Sequence, residues 1–203
     1  MVRKFLILAG LLIALLISFI PIQSNAIELS YLDGVVFVTG EFYEGDSDKF
    51  IDFVNTISAT EKPVFAIDLK NSNGGLFIEA ADIGIFIYKN GFKTGVSGYC
   101  HSACAFVLLA GNNSNSNIIF FDEPTVSIHP PYCNIECRIS SPNMSREEII
   151  IQSHTSYGYY MGVIGVPFNL TLNILNFVEE NILYLTPDLL SSYGYSIKSV
   201  NIE

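Results

Sequence analysis

From residue 63 to residue 129 the chain alternates short apolar runs with helical patterns, and nothing else in it constrains the fold as strongly. The run 64 to 69, VFAIDL, is bounded by Pro63 on one side and by Asn71-Ser72-Asn73-Gly74-Gly75 on the other, which marks a buried strand closed by a turn. Gly74 and Gly75 carry no side chains, so the backbone turns sharply there with bare N–H groups free to face a ligand. The next stretch, 77 to 90, reads as a helix with Ala80, Ala81, Gly84 and Ile87 suited to close packing and Gly91 as its stop. A mid-helix glycine costs about 1 kcal/mol against alanine, so Gly84 predicts another backbone passing close by. Residues 92 to 98 predict a second strand, and Ser102 then opens an apolar helix-forming run that ends at Gly111. Strand, helix, strand and helix joined by short turns is the pattern of an α/β protein, a parallel sheet with crossover helices. Such a sheet lines up its strand ends along one edge, where Gly74, Ser102 and His129 are expected to meet.

Those three stations are the residue types that acyl transfer requires. A serine hydroxyl is a poor nucleophile until a base takes its proton, and an imidazole titrating near 6.5 suits that work and the return of the proton to the leaving group. The tetrahedral intermediate also places charge on an oxygen, which fixed N–H donors must meet. Each station has a plain alternative. Ser102 alone would be a helix cap, Gly74-Gly75 a tight turn, and His129 a structural histidine beside Pro130-Pro131. His101 is a second candidate base, with its side chain expected to point away from the serine, and His154 is expected on a helix surface.

The stretch GYCHSACAFVLLAG aligns without a gap to the pattern of the Clp protease proteolytic subunit, in which a glycine precedes the nucleophilic serine by four residues and an alanine-glycine pair ends the helix. NSNGG resembles that family's NSPGG, and Ser127-Ile128-His129-Pro130-Pro131 resembles the strand end that carries its histidine. The resemblance spans residues 32 to 197 and is nearest to exported Clp-protease-like proteins of bacterial envelopes. It implies a ClpP/crotonase-like spiral of stacked ββα units. It also implies Ser102 as nucleophile, His129 as base, and an oxyanion hole from the amides of Gly74 and Ala103, with Gly75 supporting the turn. In the position of the family's catalytic aspartate this chain has Asn181, with Glu180 beside it. Asparagine orients an imidazole but supplies no charge, and aspartate-to-asparagine in a serine triad costs about 10⁴ in turnover.

The first 26 residues have Arg3 and Lys4, an apolar run from 5 to 20, Pro21, and Ser24-Asn25-Ala26. That is the order of a signal peptide, with an uncleaved membrane anchor as the alternative. Cleavage after Ala26 predicts a single domain, 27–203, in the periplasm or outside the cell. Loss of the two leader cations takes the net charge from −10 to −12 and argues against nucleic acid, which needs clustered Lys and Arg. Cys100, Cys104, Cys133 and Cys137 are even in number, so an oxidising compartment predicts one or two disulfides of open connectivity. A 100–133 bridge would tie the serine loop to the histidine strand. The C-x3-C spacings fit a zinc knuckle poorly, and no metal or cofactor is expected.

Around this centre, Asp33-Gly34 predicts a hairpin turn, Asp46-Ser47-Asp48 a helix cap, and Ser145-x-x-Glu148 a capping box. Residues 118 to 121 and 125 to 128 predict two strands broken at Glu123-Pro124. Tyr157, Tyr159 and Tyr160 predict packing or a subunit contact. Gly165-Val166-Pro167 predicts a break between two helices. Three functions follow. The first is an exported serine hydrolase, ATP-independent and peptidase-like, acting on peptides or unfolded protein and self-associating as the family does. The second is a binding or scaffold protein that keeps the fold without turnover. The third is thioester chemistry on coenzyme A esters, which an exported acidic chain has little means to meet.

Overall fold

The structure is a computed structural model and describes residues 26–60, 63–111, 117–130, 143–176 and 182–201. The leader, Cys133, Cys137, Glu180 and Asn181 lie outside the described residues. Seven strands form one sheet in the order β1-β2-β3-β4-β5-β6, with β7 also paired to β5. β1 (Glu28–Leu32) and β2 (Val35–Thr39) are an antiparallel hairpin. Its turn places Asp33 at φ 47° and Gly34 at φ 89°, the two left-handed positions that a tight hairpin of this twist demands. From β2 the sheet runs parallel through β3 (Ala66–Ser72), β4 (Lys93–His101) and β5 (Ile118–Ile128). The expected strand-helix alternation is therefore present. β6 (Leu183–Tyr184) returns antiparallel on the far end of β5, and β7 (Ile197–Val200) lies parallel to its beginning.

The helices close over the sheet. α1 (Asp46–Thr60) begins where the Asp46 carboxylate accepts from the Tyr43 N–H at 2.8 Å, and Phe50 and Val54 are buried on its inner face. α2 (Phe77–Asn90) ends as expected at Gly91, whose φ of 69° lets its N–H reach the carbonyls of Ile87 and Tyr88. Every residue of α3 (Ala103–Leu109) is buried, so this short helix belongs wholly to the core. α4 (Arg146–Val163) opens on Ser145 with both halves of the capping box made. After Gly165 at φ 70° comes α5 (Phe168–Leu175), and α6 (Pro187–Ser192) is capped by Thr186.

Two expectations are corrected here. The close neighbour of Gly84 is the hydroxyl of Tyr160, which a Cβ at that position would meet at 2.1 Å, rather than a backbone. Tyr160 is fully buried and donates to the Phe106 carbonyl at 2.9 Å, so the glycine makes room for a ring that ties α4 to α3. Phe106 also meets Tyr157 edge-on at 4.6 Å, a pair worth about 1 kcal/mol beyond its burial. Tyr159, by contrast, is exposed. The second correction is that residues 118 to 128 form one strand. Asp122 and Glu123 take positive φ values of 52° and 53° opposite Gly98 at 76°, so β4 and β5 bulge at the same level and the ladder resumes at Tyr99 and Thr125.

Candidate active site

Three segments come together at the C-terminal ends of β3, β4 and β5. In β4 and β5 His101 pairs with Ser127, and the Ser102 N–H donates to the Ser127 carbonyl at 2.9 Å. Ser102 therefore sits one residue past His101 on its strand, and His129 two past Ser127 on the next. Neighbouring strands run about 4.8 Å apart, so both residues leave the same edge of the sheet side by side. On the other side of β4, the glycine turn after β3 lies against the serine. A Cβ built on Gly74 would stand 2.7 Å from the His101 carbonyl oxygen, 2.8 Å from the Ala103 nitrogen and 2.8 Å from the Ser102 Cβ. Only a residue without a side chain fits there.

Ser102 holds φ 53° and ψ −121°, a conformation sparsely populated by any residue but glycine. It occupies the cap position of α3, yet its side chain makes no capping hydrogen bond. The helix-cap alternative thus fails on geometry. Ser102 instead makes the sharp turn between the end of a parallel strand and a buried helix, the setting in which a nucleophile elbow would be built. The Ala103 N–H is the first of α3 and has no carbonyl one turn back to bond.

The glycine turn is pinned by Phe42. The Phe42 N–H donates to the Gly74 carbonyl at 2.7 Å, and the Leu76 N–H donates to the Phe42 carbonyl at 2.8 Å. Gly75 has φ 120°, and a Cβ there would meet the Phe42 carbonyl oxygen at 2.3 Å. The Gly74 N–H donates to Ser72 Oγ at 3.2 Å, whereas the Gly75 N–H stands outside the bridge to Phe42. Ser72 was not singled out from sequence. Its signal is the hydroxyl placed two residues before the amide it satisfies, a local pattern that serines favour at turns.

The His129 Nδ1 lies 2.8 Å from the Pro130 carbonyl oxygen. A carbonyl only accepts, so Nδ1 carries the hydrogen and the Nε2 lone pair is the basic one. At this edge Ser127 Oγ and His101 Nδ1 share a hydrogen bond of 2.8 Å. His101 also stacks on Tyr99 with ring centres 5.4 Å apart. Burial pulls its pKa below the usual histidine value and favours the neutral ring. Its ring is held by Ser127 of the next strand and by Tyr99, at the end of β4 and not in a turn. His154 is half-buried on α4, far along the chain from this edge.

Cys100 and Cys104 form a disulfide with Cα atoms 5.3 Å apart. Of the connectivities that the sequence left open, the structure therefore has 100 joined to 104, and the 100–133 bridge is not formed. A strand end and the first turn of the following helix lie close enough to be joined directly, so the bond spans the serine turn and does not reach across to the histidine strand. Below the site, buried Asp68 on β3 accepts from Ser97 Oγ of β4 at 3.0 Å, and burial pushes its carboxyl pKa up.

The sheet order, the crossover helices and the edge that gathers the turns define an α/β fold of the ClpP-like type. Among solved structures, an asparagine-to-aspartate mutant of ClpP1 from Listeria monocytogenes matches with a TM-score of 0.58 at 17% identity, over 84% of this chain and 92% of that one. No protein-family profile matches the chain, and no curated protein matches it.

Proposed function

We propose that this chain is an exported, ATP-independent serine hydrolase of the peptidase type, acting on peptides or unfolded protein segments. The observation that carries the reading is the strained, non-capping Ser102 packed against Gly74 at the edge of a parallel sheet. A side chain kept where glycine is favoured costs about 1–3 kcal/mol, a cost that a purely structural turn has no reason to bear.

In this reading Ser102 Oγ attacks the substrate carbonyl carbon while His129 Nε2 takes the hydroxyl proton. The oxyanion is met by the N–H of Ala103 and by the glycine turn, where the Gly75 amide is the donor not committed to Ser72 or Phe42. His129 then returns the proton to the leaving amine, and water repeats the cycle on the acyl-enzyme. The Pro130 carbonyl orients the ring, with Asn181 or Glu180 as the further partner that the resemblance implies. Export is supported by the leader and by a disulfide buried beside the site. Self-association is part of the proposal, with exposed Ile151 and Tyr159 on α4 as apolar surface available to it.

A fluorophosphonate probe tests the reading: the wild-type protein labels, Ser102→Ala abolishes labelling, and His129→Ala slows it about 10²–10⁴-fold. A folded wild-type protein that does not label overturns it. That result would favour the second reading, a binding protein that has kept the fold, which Asn181 in the position of the family's aspartate suggests.

A further inference from the structure

The Cys100–Cys104 bond closes a five-residue loop whose middle residue is Ser102. Each end of that loop is anchored independently. Cys100 pairs with Ser72 on one neighbouring strand and Val126 on the other, and Cys104 sits in the first turn of an entirely buried helix. Both cysteines have 0% exposure. Between these anchors the chain passes through the least favourable backbone conformation at the site, that of Ser102. Further restraints on this turn are the Ser102 N–H to Ser127 carbonyl bond, the Ala105 N–H to Ser102 carbonyl bond at 3.0 Å, the His101 Nδ1–Ser127 Oγ bond and the packing of Gly74 against it.

A crosslink stabilises a fold chiefly by shrinking the unfolded ensemble, and that effect grows with the loop it closes. A loop this short is poorly placed for global stability. It is well placed to fix the angle between a strand and the helix that follows. Residues in sparsely populated conformations persist only where their surroundings over-determine them. Without the bond, the turn can relax toward an ordinary helix cap, which would swing the Ser102 hydroxyl down onto the α3 amides and rotate the Ala103 N–H away.

We propose that the Cys100–Cys104 disulfide is a positioning element that holds Ser102 and the Ala103 amide in the projecting geometry. Both cysteines are therefore positioning residues. The part of the proposal that concerns reactivity rests on Ser102 being the nucleophile, whereas the part that concerns the backbone rests on the geometry alone.

The test compares the full exported chain with Cys100→Ala/Cys104→Ala. Cys100→Val/Cys104→Ala serves as a second variant that refills the core should the first fail to fold. Peptide mapping without reduction is expected to recover 100 joined to 104, and free thiols there or pairing to 133 or 137 overturn the proposal. At a temperature where variant and wild type are both folded, amide hydrogen exchange is expected to rise tenfold or more over residues 101 to 105 and to stay unchanged in β2. The maximal rate of fluorophosphonate labelling is expected to fall at least tenfold with little change in the probe concentration at half-saturation. A crosslink that only supported the fold would lower the melting temperature and leave both local readouts at wild-type values, which overturns the proposal. If the wild-type protein does not label at all, the hydrolase reading fails by itself. The exchange result then decides the clamp: a rise supports it and no change overturns it.

Discussion

Two strand-to-helix turns lie in contact at the edge of this sheet and solve the same problem in opposite ways. The β3-to-α2 turn uses Gly74 and Gly75 at φ 101° and 120°, a geometry that glycine adopts without strain, and main-chain bonds to Phe42 hold it. The β4-to-α3 turn reaches a positive φ with a serine, and a disulfide holds it. In the first turn the missing side chain is the useful feature, because it lets the neighbouring backbone approach within contact distance. In the second the side chain is retained against its own conformational preference. The difference teaches that the first turn is shaped to make room, whereas the second keeps a side chain at a conformational cost.

Substitution at Gly74 attacks the first half of this comparison and carries the largest expected effect. Gly74→Ala adds a methyl at 2.7–2.8 Å from three atoms of the serine turn and forces alanine to φ 101°, and it is expected to cost about 4 kcal/mol in urea unfolding. A loss under about 1 kcal/mol would mean that the two turns are not packed as described. Ser72→Ala comes next. It leaves the Gly74 amide without its acceptor in a buried place, for an expected loss of about 2 kcal/mol by the same measurement. Ser102→Gly reverses the sign: relief of the strained φ is expected to stabilise the protein by about 1 kcal/mol while fluorophosphonate labelling disappears. A destabilised Ser102→Gly would show that the serine side chain is structural after all.

The smallest effect is a pH dependence beside the serine. Burial holds the His101 ring neutral and pulls its pKa below the ordinary 6.5, so the unfolded chain takes up the proton first. Its contribution to stability is fully present above about pH 6.5 and is lost as pH falls through the depressed folded value. In urea titrations from pH 7.5 to 4.5, His101→Gln is expected to remove this component from the acid limb. An unchanged acid limb would separate the ring from the stability of the second turn.

Much of this molecule was legible in one dimension because its signals are local. The Asp33-Gly34 turn, the Ser145 capping box and the Gly91 stop each depend on residues within a few positions of one another. The alternation of apolar runs and helical patterns was enough to predict a parallel sheet, because short connections leave few other topologies. Contacts between distant segments were harder. Gly84 announced a close approach, but nothing in its neighbourhood named Tyr160, which arrives from 76 positions later. The pairing of Cys100 with Cys104 was one of several connectivities until the strand end and the helix start were seen to lie 5.3 Å apart in Cα.

What the chain determined by itself is the set of chemical parts and the class of scaffold: a serine, an imidazole, a glycine pair, and strands alternating with helices. Local propensity and hydrophobic period write those in directly. Only the tertiary structure decided how they are used. It put Ser102 into a conformation that no propensity predicts, spent the Gly74 amide on Ser72, and turned the His129 Nδ1 toward the Pro130 carbonyl. Those outcomes follow from packing three strand ends side by side, where each backbone group must find its partner in whatever the neighbouring strand presents.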